Sequence, residues 1–238
     1  MDNIDFLLKK FDNVDFMYGD VGNLENCRKA VKGIDLISHQ GALGSVPRSV
    51  DDPLSSHNSN VNGFINLLIA AKEEGIKRIV YASSSSVYGN SKKLPKIENE
   101  LGEVISPYAA TKLINEIYAG VFNKCYGLET IGLRYFNVFG PRQNPNGAYA
   151  AVIPKFISQI RKGEIPVING DGSYSRDFTY VDNAVEANVR GLLTENKECF
   201  GNVFNVASEE RITINELFKI IIEKEGKNIE PIYGEVRR

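Results

Sequence analysis

Apolar and polar positions follow two rhythms along this chain. Short runs rich in β-branched residues at 14–18, 34–39, 78–82, 129–136 and 203–206 predict strands. Between them, apolar residues recur every three or four positions at 24–31, 61–74, 107–125, 150–162, 181–193 and 214–225, which predicts helices. Strand, helix and strand in alternation is the unit of a parallel sheet, so the pattern predicts an α/β fold. The helix expected from 107 is the best punctuated. Ser106 can cap its start, Pro107 suits the first helical position, and Gly127 stands just past its end. Ile114, Ile117, Tyr118, Val121 and Phe122 then share one face. Residues 90–102 are polar and charged and read as a surface loop. From about Asn144 the rhythm loosens, as in a smaller second lobe.

Composition narrows the classes. The chain has 238 residues, 42% hydrophobic and 24% charged, enough for one core and a small lobe. A net charge of −2 gives no basic surface for nucleic acid or an anionic membrane. Cys27, Cys125 and Cys199 are widely spaced and form no CxxC, so they read as reduced thiols. Two histidines, His39 and His57, argue against a His-rich zinc site, and no metal is expected. No apolar run approaches about 18 residues and no signal-like leader stands out, so a soluble, cytoplasmic protein is expected.

The candidate chemistry begins at Tyr108-Ala109-Ala110-Thr111-Lys112. Positions four apart on a helix face the same side, so a phenol and an ammonium can share one site. Free tyrosine titrates near ~10, and a nearby cation lowers that value, making a base suited to an alcohol proton. The pattern alone is common. Its partner is the run Ser83-Ser84-Ser85-Ser86 at the end of the strand expected at 78–82, where open α/β sheets place their ligands. Tyr108 follows Ser84 by 24 positions, and this combination is far more specific.

Four blocks carry a resemblance across most of the chain. They are Ser83 to Ser86 with Val87-Tyr88-Gly89, Ser106-Pro107-Tyr108 through Lys112, Leu133-Arg134-Tyr135-Phe136-Asn137, and Arg176-Asp177-Phe178-Thr179-Tyr180-Val181-Asp182. In this order they resemble the extended short-chain dehydrogenases/reductases, the NAD-dependent epimerase/dehydratase family. Segments 39–49 and 145–154 are most similar to bacterial UDP-N-acetylglucosamine 4-epimerases.

The resemblance implies a Rossmann-like doubly wound parallel sheet lacking its first β-α-β elements, with a smaller substrate-binding lobe. The division expected is 1–143 for the dinucleotide-binding part and 144–238 mainly for the nucleotide-sugar part, with returns to the sheet. It assigns catalysis to Ser84 or Ser85, Tyr108 and Lys112, with Ser84 favoured. It places Asp20, Val21, Gln40, Gly41, Ala42, Asn60, Ser83, Tyr108, Lys112 and Tyr135 along NAD. It places Gly44, Ser45, Ser84, Ser85, Tyr108, Asn137, Ala151, Val152, Asn169 and Arg176 along the UDP-sugar. Structural readings stand beside these: Asn60 as a helix N-cap, Gly41 and Gly44 as turn residues, Arg176 paired with Asp177, and Tyr135 and Phe136 as core.

The activity implied is C4 epimerisation of a UDP-N-acetylhexosamine with tightly bound NAD, whose nicotinamide ring would help ionise Tyr108. The usual destination is cell-surface polysaccharide. UDP-glucuronate and UDP-glucose 4-epimerases, a plain reductase and an inactive fragment are the alternatives. A 4,6-dehydratase needs Asp-Glu after the catalytic hydroxyl, where this chain has Ser85 and Ser86. Relatives imply a homodimer through the helices that hold Tyr108 and follow Asn60. The family's glycine-rich first turn is not found, so the chain reads as starting about two elements late and stopping short at 235–238. An exposed sheet edge, modest stability and weak NAD binding are then expected.

Overall fold

The computed structural model describes residues 2–146 and 150–236. Helices α1 (Asp2–Lys10) and α2 (Leu24–Val31) come first, then strand β1 (Leu36–His39) and the short helices α3 (Val46–Asp51) and α4 (Pro53–His57). A π-helical turn at Asn58–Asn62 runs into α5 (Gly63–Glu74), followed by β2 (Arg78–Ser84) and a 3-10 turn at Ser85–Tyr88. Next come α6 (Pro107–Tyr126), β3 (Glu129–Tyr135), α7 (Val152–Arg161), β4 (Val167–Asn169) and β5 (Ser175–Asp177). The chain continues through α8 (Val181–Leu193), β6 (Asn202–Val206), β7 (Arg211–Thr213), α9 (Ile214–Lys224) and β8 (Ile232–Gly234).

The α/β class expected from the pattern is the class observed. The main sheet has the order β1-β2-β3-β6. β1 pairs with β2 in parallel, from Leu36 opposite Arg78 to His39 opposite Tyr81. Arg78 to Tyr81 are all buried, as an inner strand covered on both faces requires. The buried Arg78 guanidinium is answered by Glu129 and by the carbonyls of Gly191 and Leu192.

Two compact units share the chain. One comprises the residues up to Arg134 with Glu186–Asn205; the other comprises Tyr135–Val185 and the stretch from Val206. The first is built on Cys27, Val31, Phe64, Leu68, Ile79, Tyr81, Ala119 and Phe122. Each fully buried large side chain there contributes about 2–3 kcal/mol relative to exposure. The second unit packs Phe156, Ile160 and Ile168 against Leu217, Phe218 and Ile221. It holds a parallel β4–β8 pair and an antiparallel β5–β7 pair. Among the described residues no helix is long and apolar enough to cross a membrane.

Several expectations are corrected. Residues 14–18 are not a strand: they join no ladder, and Phe16, Met17 and Tyr18 are exposed. Apolar alternation proposes a strand, but only a partner's N–H and C=O groups make one. Strands β4, β5, β7 and β8 have three residues each, too few to show alternation, and escaped the pattern. Of the apolar face expected on α6, Phe122 is buried, whereas Ile117, Tyr118 and Val121 point outward. The helix instead packs inward through Ala109, Thr111, Lys112, Asn115 and Ala119. Gly147, Ala148 and Tyr149, within the resemblance segment 145–154, and Arg237 and Arg238 lie outside the described residues.

Candidate active site

The tip of β2 meets the head of α6. Ser106 caps the helix, its Oγ accepting from the Ala109 amide at 3.2 Å, with Pro107 in the first turn. Gly127 closes the other end at φ 71°, a left-handed position that suits glycine. Tyr108 therefore sits in the first turn, its amide donating to Ser49 Oγ of α3 at 3.0 Å. Its phenol contacts the Ser84 hydroxyl. Ser84 is also fixed by the Ser86 amide, which donates to its Oγ at 3.2 Å. Ser85 opens the 3-10 turn beyond. Lys112 lies one helical turn further, buried, with Nζ donating to the Ala82 carbonyl at 2.8 Å.

The electrostatics differ from the sequence expectation. Burial pushes the Tyr108 phenol above its ordinary value, and the Ser84 hydrogen bond only partly opposes this. The Lys112 cation does not lower it. Its Nζ is 5.9 Å from the phenol ring centroid and is turned toward Ala82, and burial brings the ammonium itself down to about 8. Two buried groups both resist ionisation, because burial disfavours their charged forms. His39 completes this corner at the end of β1, stacked on Phe64 with centroids 5.5 Å apart. It falls to about 4 because it is buried and because the Lys112 cation is near.

The loop after β1 is held by Asn60. Its amide nitrogen donates to the Leu43 carbonyl at 3.2 Å and to Thr111 Oγ1 at 3.1 Å, and its Oδ1 accepts from the Leu43 amide at 2.7 Å. The N-cap reading of Asn60 is thus replaced: it lies inside the π-turn, buried, as an amide clamp between loop and helix. Gln40 Nε2 reaches Asn188 Oδ1 at 2.8 Å. Gly41 and Gly44 adopt no positive φ, so a turn does not demand glycine at either, and a Cβ would fit at both. Ala42 is exposed in the same loop, and Ser45 caps α3. Asp20 closes an Asx turn on the Gly22 amide at 2.8 Å, and Val21 packs on the core with its carbonyl held by Asn66.

Ser83 behaves differently from Ser84. Its hydroxyl points inward and bonds Glu116. Glu116 also grips Arg134 through two bonds, 2.9 and 2.7 Å, and both side chains are buried. Arg134 further donates to the Tyr88 hydroxyl at 3.1 Å and to the Glu98 carbonyl at 2.9 Å.

The remaining positions belong to the second unit. Tyr135 ends β3, half-buried, as is Phe136. Asn137 takes φ 35° and donates to the Asp177 carbonyl at 2.7 Å. Asn169 ends β4, and Ala151 precedes α7, whose Val152 packs on the second core. Arg176 is exposed and makes no ion pair with Asp177, which instead accepts from the Ser208 amide and hydroxyl.

The family model described as "NAD dependent epimerase/dehydratase family" matches residues 4–207. The chain belongs to this family. It is 38% identical over 207 residues to a protein named putative UDP-glucose 4-epimerase from Methanocaldococcus jannaschii, covering 87% of this chain and 66% of that protein. The chain therefore spans just under two thirds of the length of that curated relative. Among solved structures it is similar to a UDP-N-acetylglucosamine 4-epimerase from Methanobrevibacter ruminantium in complex with UDP-N-acetylmuramic acid. There the TM-score is 0.91 and the identity 42%, over 96% of this chain and 72% of that one. It is also similar to the UDP-glucose 4-epimerase of Thermotoga maritima with UDP-glucose, at TM-score 0.89 and 32% identity, over 99% of this chain and 82% of that one.

Within this epimerase/dehydratase chain, sequence reasoning missed His39, Ser49, Thr111, Glu116 and Arg134 as parts of the corner. Two signals could have found the last pair. Glu116 stands one turn beyond Lys112 and so shares its face, and an arginine inside the apolar strand run 129–136 needs an inward counter-charge.

Proposed function

We propose that the protein epimerises C4 of a UDP-N-acetylhexosamine, interconverting the gluco and galacto forms through a transient 4-keto sugar. The observation that carries this reading is the contact of the Tyr108 phenol with the Ser84 hydroxyl at the end of a parallel strand, with Lys112 buried behind. In this mechanism Ser84 holds the sugar 4-oxygen and Tyr108 takes its proton, then returns it. Because Ser84 sits at the strand end, it can orient that oxygen in either epimer. Ser85 and Ser86 supply no carboxyl acid or base for losing water, which separates this site from a dehydratase.

NAD fits the residues present. An ammonium has three N–H donors, and the Ala82 carbonyl takes one from Lys112, leaving the others for ribose hydroxyls. Asp20, Val21, Gln40, Gly41, Ala42 and Asn60 belong to segments pinned by their own hydrogen bonds and suit the rest of the dinucleotide. NAD held there would supply the hydride acceptor and donor for C4. In the second unit, Arg176 offers an exposed guanidinium with no carboxylate partner among the described residues, suited to a diphosphate. The exposed Ile117, Tyr118 and Val121 on α6 give a second copy an apolar stripe, consistent with a homodimer. The N-acetylhexosamine preference rests on likeness to the 42% identical structure. UDP-glucose is the second reading, favoured by the relative at 38%.

The test is to denature the purified protein, identify any nicotinamide cofactor released, and incubate the intact protein with UDP-N-acetylglucosamine. Near-stoichiometric NAD and appearance of the galacto epimer support the proposal. Turnover of UDP-glucose alone would replace the substrate, and absence of both cofactor and turnover would sink it.

A further inference from the structure

We propose that Glu116 is a positioning residue: it grips Ser83 and Arg134 together and so fixes the Ser84-bearing turn against the helix that carries Tyr108. The inference rests on reading Ser84 and Tyr108 as the reacting pair. Successive side chains on a strand point to opposite faces, so the way Ser83 faces decides the way Ser84 faces. The Ser83 hydroxyl, buried on Glu116, leaves Ser84 turned to Tyr108. Glu116 lies two helical turns beyond Tyr108 on the same face of α6, with Lys112 between them holding the Ala82 carbonyl. Three consecutive residues of β2, Ala82, Ser83 and Ser84, are thus each tied to α6.

The turn is held at its far end by the same group. Arg134, bonded twice to Glu116, donates to the Tyr88 hydroxyl, which donates in turn to Asn205 Oδ1 at 2.7 Å. The Asn205 amides reach Glu98 Oε1 at 2.8 Å and the Lys96 carbonyl at 2.9 Å, so the loop that follows the turn is also anchored. Ser83 and Tyr88 bracket Ser84–Val87, and one buried carboxylate connects both brackets. Sequence likeness implies Ser83 along the cofactor; in the structure its hydroxyl bonds Glu116.

The handle is Ser83→Ala, which removes one hydroxyl and leaves the ion pair intact. Tyrosine isotope-labelled at the ζ carbon reports the hydrogen bonding of each phenol by NMR at fixed pH, and Tyr108→Phe assigns the Tyr108 signal. Ser84→Ala gives the shift for complete loss of the contact. The expected result is that Ser83→Ala moves the Tyr108 signal in the same direction by a substantial part of that shift, and that Ser83→Thr restores it. In turnover, kcat should fall about tenfold or more while KM and bound NAD stay unchanged, as for a misplaced reacting group. A Tyr108 signal that stays put in Ser83→Ala, but moves in Ser84→Ala, overturns the positioning role. Loss of bound NAD from Ser83→Ala also overturns it, because Ser83 would then act on the cofactor directly. A signal unmoved by Ser84→Ala instead refutes the Ser84–Tyr108 pair itself, a separate failure.

Discussion

Two stretches of the first unit draw on similar residues and behave oppositely. Around the tip of β2 and the head of α6, Ser83, Ser84, Asn60, Lys112, Glu116 and Arg134 each have a named partner, and five of these six are nearly sealed from water. From α1 to Asp20, Phe6, Leu7, Leu8, Phe11, Phe16, Met17 and Tyr18 are all more than a third exposed. Polar side chains are buried in one place, and apolar ones are partly exposed in the other. Side-chain polarity alone therefore does not decide burial in this chain. Directed partners do, and a buried polar group without one costs about 1–3 kcal/mol. Single atoms should matter greatly in the first stretch and little in the second.

The largest effect is expected at Tyr108. Tyr108→Phe keeps the ring and its packing and removes the oxygen that meets Ser84. Turnover should fall by about two to four orders of magnitude, the usual contribution of a positioned acid–base group, with substrate affinity retained. Steady-state kinetics and a direct titration of UDP-sugar binding check this. Near-normal turnover would mean that the phenol is only packing.

Next comes the ion pair beneath it. Glu116→Ala strands the Arg134 guanidinium, 2% exposed, without its carboxylate. Removing one partner of such a pair typically destabilises by about 3–5 kcal/mol, because a charge is left buried alone. Urea unfolding should show this, and Glu116→Gln, which still accepts hydrogen bonds, should lose less. If Glu116→Ala were as stable as the parent, the region would not be the interlocked one described.

Lys112 gives a pH signature of the same burial. Its folded value is about 8 against 10.5 for the free side chain, so the unfolded chain holds the proton that the folded one has released. Stability contributed by this group therefore rises as pH goes from about 8 toward 10.5, by up to about 3 kcal/mol. Tyr108, shifted upward, works in the other direction above its ordinary range, so pH 8 to 10 is the clean window. The difference in unfolding free energy between the cofactor-free parent and Lys112→Met should grow across that window. A flat difference would show that water reaches the ammonium.

How much of this was legible in sequence follows the same division. The α/β class, the caps of α6 and the adjacency of Ser84, Tyr108 and Lys112 were readable, because they depend on spacing within one helix and on one strand end. The inward turn of Ser83, the Asn60 clamp and the Glu116–Arg134 pair were not. Each joins residues 17 to 51 positions apart, and nothing local records that they meet. The sign of the Tyr108 shift was misjudged for a related reason: spacing places the lysine on the right face but says nothing about how dry that face is. Residues 14–18 failed as a strand because the pattern cannot report whether a neighbour is there to pair.

The smallest effect is expected in that last segment, and it tests the comparison from its weak side. Tyr18 is 86% exposed, with Phe16 and Met17 beside it about half exposed. Tyr18→Asn removes an aromatic ring that buries almost nothing, so unfolding free energy should change by no more than about 0.5 kcal/mol. Self-association is where the change should appear. A run of large exposed apolar side chains invites contact with another chain, and a polar residue there blunts it. Concentration-dependent light scattering should fall in Tyr18→Asn while the urea midpoint stays in place. Should the substitution instead cost about 2 kcal/mol or more, Tyr18 would be packed against something, and the two stretches would be governed by the same rule of partnered burial.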